Sequence, residues 1–142
     1  MIQELDKSNF FKGMISDPVE NTERDMRVIK DMLDTMTYYR QKNKDEGYAM
    51  TANMIGANKR VIILFKSGNK IIINPVIIDS AEFLTPEEVE KVRIRTERNG
   101  RVGIFEDIAL EYYDENWEKK RVLFKNEYGR LKELMDRLDG IF

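Results

Sequence analysis

Two runs dense in isoleucine and valine, Arg60 to Lys66 and Lys70 to Ile78, are separated only by Ser67-Gly68-Asn69. A parallel pair of strands needs a crossover of a dozen or more residues, whereas an antiparallel pair closes through a short turn. The two runs therefore predict a hairpin, and the sheet built on it is antiparallel. Asn74-Pro75 interrupts the second run. Proline donates no hydrogen bond to a ladder, so that point predicts an edge or a bend rather than a central ladder. A second hairpin is expected from Ile108 to Tyr113 and Lys119 to Phe124 around the turn Asp114-Glu115-Asn116-Trp117.

Helical patterns flank the strands. From Asp17-Pro18 to about Lys44 the apolar residues Met26, Ile29, Met32, Leu33 and Met36 recur at helical spacing, with charged residues on the other face. The methionines read as flexible core filling rather than as ligands. Gly47 is expected to end this helix, and Gly47 to Gly56 is a small-residue segment where backbone can approach a neighbour or ligand closely. Near the C-terminus Tyr128, Leu131, Leu134, Met135 and Leu138 form a second stripe, closed by Gly140 as a left-handed cap. Between the hairpins, Ser80 to Gly103 is polar and charged, with Thr85-Pro86-Glu87-Glu88 resembling a short helix start.

The order helix, hairpin, irregular region, hairpin, helix predicts an α+β fold in which antiparallel strands wrap one face of helices. At 142 residues with 42% apolar content, the chain is expected to form one domain over residues 1–142.

Composition excludes several chemistries. The chain has no histidine and no cysteine. Zinc and iron(II) at hydrolytic centres are held mainly by imidazole nitrogen and thiolate sulfur, with carboxylates as the remaining option. No metal and no other cofactor is expected, and Ser-His-Asp and Cys-His catalysis are impossible. No glycine-rich phosphate-binding or dinucleotide motif appears.

The 24 basic and 26 acidic side chains nearly cancel, which argues against DNA as a partner. Lys91, Arg93, Arg95, Arg98 and Arg101 form one basic cluster that leaves contact with ribosomal RNA open, although acids are interspersed with it. Glu87, Glu88 and Glu90 read as solvated charge rather than as a paired-carboxylate site. No stretch is apolar enough to span a membrane, and the first six residues lack the pattern of a secretory signal. The absence of disulfides fits a reducing compartment, so a cytoplasmic location is expected.

Three anchors and the last helix give the chain a resemblance to the peptide deformylases, metalloenzymes that remove the formyl group from the N-terminal methionine of new bacterial proteins. Gly47-Tyr48-Ala49-Met50-Thr51-Ala52-Asn53-Met54-Ile55-Gly56 resembles the family's first motif, usually Gly-x-Gly-Leu-Ala-Ala-x-Gln-Ile-Gly. Ile73-Asn74-Pro75 matches its Asn-Pro, and Tyr113 to Trp117 its late hairpin turn. The last helix with Leu138-Asp139-Gly140-Ile141 resembles the segment that carries His-Glu-x-x-His and a Leu-x-Gly-Ile tail. The resemblance runs from about Asp17 to Phe142.

It implies a deformylase-like fold whose catalytic positions are all replaced. The two metal-binding histidines fall on Glu133 and Arg137, and the catalytic glutamate falls on Leu134. The metal-binding cysteine falls near Val92, within Glu90-Lys91-Val92-Arg93-Ile94. The glutamine that helps hold the formyl oxygen falls on Met54, a change that some deformylase-like relatives share. The implied cleft comprises Gly47, Ala49, Met54, Val92, Glu133, Leu134 and Arg137.

Residues four apart share one helix face, so Glu133 and Arg137 keep the geometry of a His-x-x-x-His pair and are expected to neutralise each other as an ion pair. A weak magnesium site from Glu133, Asp136 and water is the disfavoured alternative. A bound zinc lowers the pKa of water from about 15.7 to about 7, equivalent to roughly 12 kcal/mol of easier deprotonation, which no surface ion pair supplies. Deformylation is thus expected to be lost.

Three functional readings stay open. The first is a module that binds a peptide or protein N-terminus in the old cleft by strand addition. The second is a metal-free enzyme of different specificity that uses Glu133, Asp136, Arg137 or a tyrosine. In the third, a structural partner docks through an exposed aromatic cluster of Tyr112, Tyr113 and Trp117.

Overall fold

The computed structural model describes residues 1–5, 8–42, 48–66, 68–78, 85–87 and 107–142. Five strands form one antiparallel sheet in chain order: β1 (Ala49–Thr51), β2 (Val61–Phe65), β3 (Asn69–Ile78), β4 (Ile108–Tyr113) and β5 (Lys119–Phe124). Helix α1 (Glu23–Gln41) precedes the sheet and α2 (Tyr128–Leu138) follows it. Both predicted hairpins form, β2 with β3 and β4 with β5.

Side chains alternate across a strand, and in β2 both faces are covered. Ile62 and Leu64 join Ile72, Leu110 and Phe124 in a cluster with Leu131, Leu134, Met135 and Leu138 of α2. Val61 and Ile63 turn the other way, to a cluster with Ile73 and with Ile29, Met32 and Met36 of α1. The sheet thus lies between two helices, which explains why β2 reads as an unbroken apolar run rather than an alternating one. The methionines at 32 and 36 are fully buried, as core filling requires.

The first helix starts later than its apolar period indicates. Thr22 caps it, its hydroxyl accepting from the Asp25 amide at 3.2 Å. Residues ahead of that cap run as an extended strap along the sheet. The Asp17 amide donates to Asn58 O at 3.0 Å and the Arg60 amide donates to Asp17 O at 2.8 Å. Asp25 is buried, accepting from the Glu20 amide at 2.7 Å and pairing with Lys59 at 3.3 Å.

The Asn74-Pro75 interruption is a bend, as expected, but not an edge, because β3 is the central strand of the sheet. The ladder to β4 shifts register between Ile73 and Val76, and Asn74 takes a left-handed φ of 51°. That shift lets a residue without an N–H sit mid-sheet. Residues 49–51, read from sequence only as a small-residue segment, form edge strand β1, paired with β2 from Ala49–Leu64 to Thr51–Ile62. At the opposite edge, β5 exposes Lys119, Lys120 and Arg121, charges that oppose further pairing of that edge.

The turn of the second hairpin is locked by Asp114, whose Oδ1 accepts from the amides of Asn116 at 2.9 Å and Glu118 at 3.0 Å. Its aromatic residues do not form an exposed cluster. Tyr112 is buried and packs on Phe124 with ring centroids 6.2 Å apart, while Tyr113 packs on Trp117 at 5.8 Å. Alternation along β4 sends the two tyrosines to opposite faces, so hairpin packing accounts for both.

Helix α2 ends as its sequence indicates. Gly140 has φ 75°, the Gly140 amide donates to Arg137 O at 3.1 Å and the Ile141 amide donates to Asp136 O at 2.8 Å. These two bonds are the paired closure of a Schellman cap. The N-terminal strap docks on this end: the Gly13 amide donates to Gly140 O at 2.8 Å, and Ser16 donates to Leu138 O through its amide at 2.8 Å and its hydroxyl at 2.7 Å. No helix among the described residues is long and apolar enough to cross a membrane.

Candidate functional site

Edge strand β1 leads directly into a 3-10 turn, Ala52–Ile55, which carries Met54. Gly56 closes this turn with φ 89°, a conformation that glycine adopts without cost. Ala52 and Asn53 are fully buried, whereas Met54 is half-buried and packs against both core clusters. Ala49 packs against the cluster that contains Leu134. Three of the residues singled out in the sequence, Ala49, Met54 and Leu134, are thus brought together by contact between β1 and α2.

On α2 the three positions singled out in the sequence, 133, 134 and 137, divide by exposure. Leu134 is 5% exposed and belongs to the core, Glu133 is exposed, and Arg137 is half-buried with its guanidinium 5.2 Å from the Phe142 ring. Gly47 and Val92 lie outside the described residues, as does the basic cluster from Lys91 to Arg101. Of the Thr85 to Glu88 segment, Pro86 and Glu87 are helical and Glu88 lies outside the described residues.

The expected ion pair between Glu133 and Arg137 is not seen among the described residues. The pair that joins residues four apart on α2 is Lys132–Asp136, one position earlier. Its hydrogen bond raises the Lys132 pKa. Arg137 lies in the last helical turn, with its guanidinium over the ring of Phe142. Asp136 is engaged by the Lys132 ammonium, and no three acidic side chains converge among the described residues.

One residue of the site, Asn53, lies inside the first motif but was not singled out from the sequence. The buried Asn53 side chain donates from Nδ2 to Arg137 O at 2.8 Å, and its Oδ1 accepts from the Thr51 hydroxyl. The turn beside Met54 is thereby tied to the backbone of Arg137. A polar residue inside an otherwise small and apolar segment was the signal available in the sequence, but its partner lies 84 positions away. Arg60 reinforces the same helix end, donating to Asp139 Oδ1 at 2.9 Å and to Leu138 O at 3.3 Å, a cation at the negative pole of a helix.

A family model described as polypeptide deformylase matches residues 11–142. The chain belongs to the peptide deformylase family. It is 33% identical over 144 residues to a peptide deformylase of Clostridium beijerinckii, covering 99% of this chain and 98% of the relative. Deformylase structures share its fold. A Legionella pneumophila peptide deformylase aligns over 99% of this chain and 82% of its own, with a TM-score of 0.68 and 20% identity. A class I type b peptide deformylase from Acinetobacter baumannii, in its Met-Ala-Ser-bound form, aligns over 100% of this chain and 97% of its own, with a TM-score of 0.68 and 19% identity. The α+β deformylase architecture expected from the sequence is therefore the observed one.

Proposed function

We propose that this deformylase-family chain binds the N-terminal segment of a peptide without hydrolysing a formyl group. The observation that carries the reading is Leu134, a hydrocarbon side chain packed into the core where the family resemblance puts the glutamate that moves the proton. A leucine neither accepts nor donates one.

The donor set beside it does not fit a transition metal. Glu133 offers one exposed carboxylate, Arg137 offers only cationic donors, and the whole chain has no imidazole or thiolate to complete the coordination. What these residues offer is recognition. Strand β1 has β2 on one side only within the described sheet, so its other edge suits an extended peptide added by backbone hydrogen bonds. Ala49 and Met54 give that edge an apolar wall, and the Arg137 guanidinium is suited to a carbonyl or carboxylate oxygen. That the Acinetobacter baumannii relative is described as bound to Met-Ala-Ser supports a short peptide as the ligand class. New peptide chains in the cytoplasm are the natural source of such a ligand, with the ribosome as a neighbouring partner.

Isothermal titration with formyl-Met-Ala-Ser, run beside a formate-release assay with and without added zinc, tests the reading. Saturable heat with no formate is expected. Metal-dependent formate release, or no heat at millimolar peptide, overturns it.

A further inference from the structure

The two walls assigned to the peptide cleft belong to elements far apart in the chain, and one buried carboxamide joins them. Asn53 is fully buried next to Met54, and its Nδ2 donates to the carbonyl of Arg137 at 2.8 Å. An amide side chain can face either way round, and only one of its ends donates. The Arg137 carbonyl, which only accepts, decides the matter: Nδ2 faces α2, and Oδ1 is left to accept from the Thr51 hydroxyl. Thr51 is itself fully buried, so water does not compete for either group.

We propose that Asn53, held on its oxygen side by the Thr51 hydroxyl, is a positioning residue that sets the distance between Met54 and Arg137 and so the width of the peptide cleft. It contacts the backbone rather than the ligand and acts through the two side chains that the ligand meets. The inference rests on the peptide-binding reading above. A structural role shared by any hydrogen bond to this helix end predicts something different, and Ser16 separates the two. The Ser16 hydroxyl also donates to a carbonyl of the last turn of α2, Leu138 O at 2.7 Å, but from the N-terminal strap and not from the cleft turn.

The experiment compares Thr51→Val, Thr51→Ser, Asn53→Asp and Ser16→Ala in the full chain. Valine keeps the shape of Thr51 and removes the hydroxyl, serine restores the hydroxyl, and aspartate turns an oxygen toward the Arg137 carbonyl. Affinity for formyl-Met-Ala-Ser is expected to fall about tenfold in Thr51→Val and Asn53→Asp, and to stay near the parent value in Thr51→Ser and Ser16→Ala, although Ser16→Ala lowers the melting temperature. The Met54 methyl resonance, read without peptide, is expected to shift in Thr51→Val and not in Ser16→Ala. Should Asn53→Asp fail to fold, Thr51→Val carries the test.

Absence of peptide binding by the parent protein would overturn the functional reading alone. An unmoved Met54 resonance in Thr51→Val, or equal weakening of binding by Ser16→Ala, would overturn the positioning role.

Discussion

The Asn74 carboxamide brackets the backbone of Val19: its Oδ1 accepts from the Val19 amide at 2.7 Å and its Nδ2 donates to the Val19 carbonyl at 3.0 Å. A side chain in the middle of the central strand thus pairs with the N-terminal strap as another strand would. The left-handed φ of Asn74 directs its own amide to Arg60 O at 2.8 Å while its side chain reaches the strap. This is the physical use of the Asn-Pro pair that interrupts the apolar run of β3.

Replacing Asn74 with glycine keeps the left-handed backbone and deletes both bonds. A loss of about 2 kcal/mol is expected, two net hydrogen bonds in a partly buried site. Replacement with alanine adds roughly 1 kcal/mol for the positive φ. Urea unfolding measures both, and a glycine variant within a few tenths of the parent would show that the strap contributes nothing.

Gly140 and Gly13 make a matched pair. Both have positive φ, 75° and 82°, but a Cβ on Gly140 would stand 2.4 Å from the Met14 nitrogen, whereas one on Gly13 would meet nothing within 4 Å. Gly13→Ala is expected to cost about 1 kcal/mol for conformation alone. Gly140→Ala must in addition push the strap from the end of α2, so a loss of more than about 2 kcal/mol is expected. Equal melting temperatures for the two variants would contradict the close approach.

The edge hairpin carries an acid-sensitive contact. Glu111 is held below its ordinary value of 4.5, first by a hydrogen bond from Arg121 and then by one from Lys119. A depressed carboxylate favours the folded state above its ordinary value and loses that contribution as pH falls through the folded value. In thermal melts from neutral to acid pH, the parent should therefore lose more stability below 4.5 than Glu111→Gln, and the two curves should converge at the acid end. Parallel curves would count against the pairing.

Rebuilding the metal ligands tests how far the scaffold has been preserved. A variant carrying Val92→Cys, Glu133→His, Leu134→Glu and Arg137→His is expected to take up about one zinc per chain, from the ligand count of a catalytic site. Its folded apo form should be less stable than the parent, because a carboxyl replaces a core leucine, and zinc should restore part of that loss. Elemental analysis of the folded variant provides the measurement. A folded variant without zinc would mean that these four positions do not face one point.

Much of the framework was legible because it depends on local patterns. The hairpin of β4 and β5 begins and ends where its residues indicate, since a short connection and β-branched neighbours leave one pairing. The stripe from Leu131 to Leu138 and the glycine cap after it are equally local. The late start of α1 was not legible, because Asp17 and Val19 satisfy their backbone groups on Asn58, Arg60 and the Asn74 side chain rather than in a helical turn. Nor was β1 legible: its three residues are too few to show alternation, and pairing with β2 alone makes them a strand.

The same division holds for the site. The inventory of side chains, with no imidazole and no thiolate anywhere, is a property of the sequence, and it bounds the chemistry before any folding. Which replacements meet was decided only in three dimensions, since burial and hydrogen bonding depend on partners tens of positions away. Leu134 turned inward to Ala49 and Met54, Glu133 turned to solvent, and Asn53 found the Arg137 carbonyl across the gap between strand and helix.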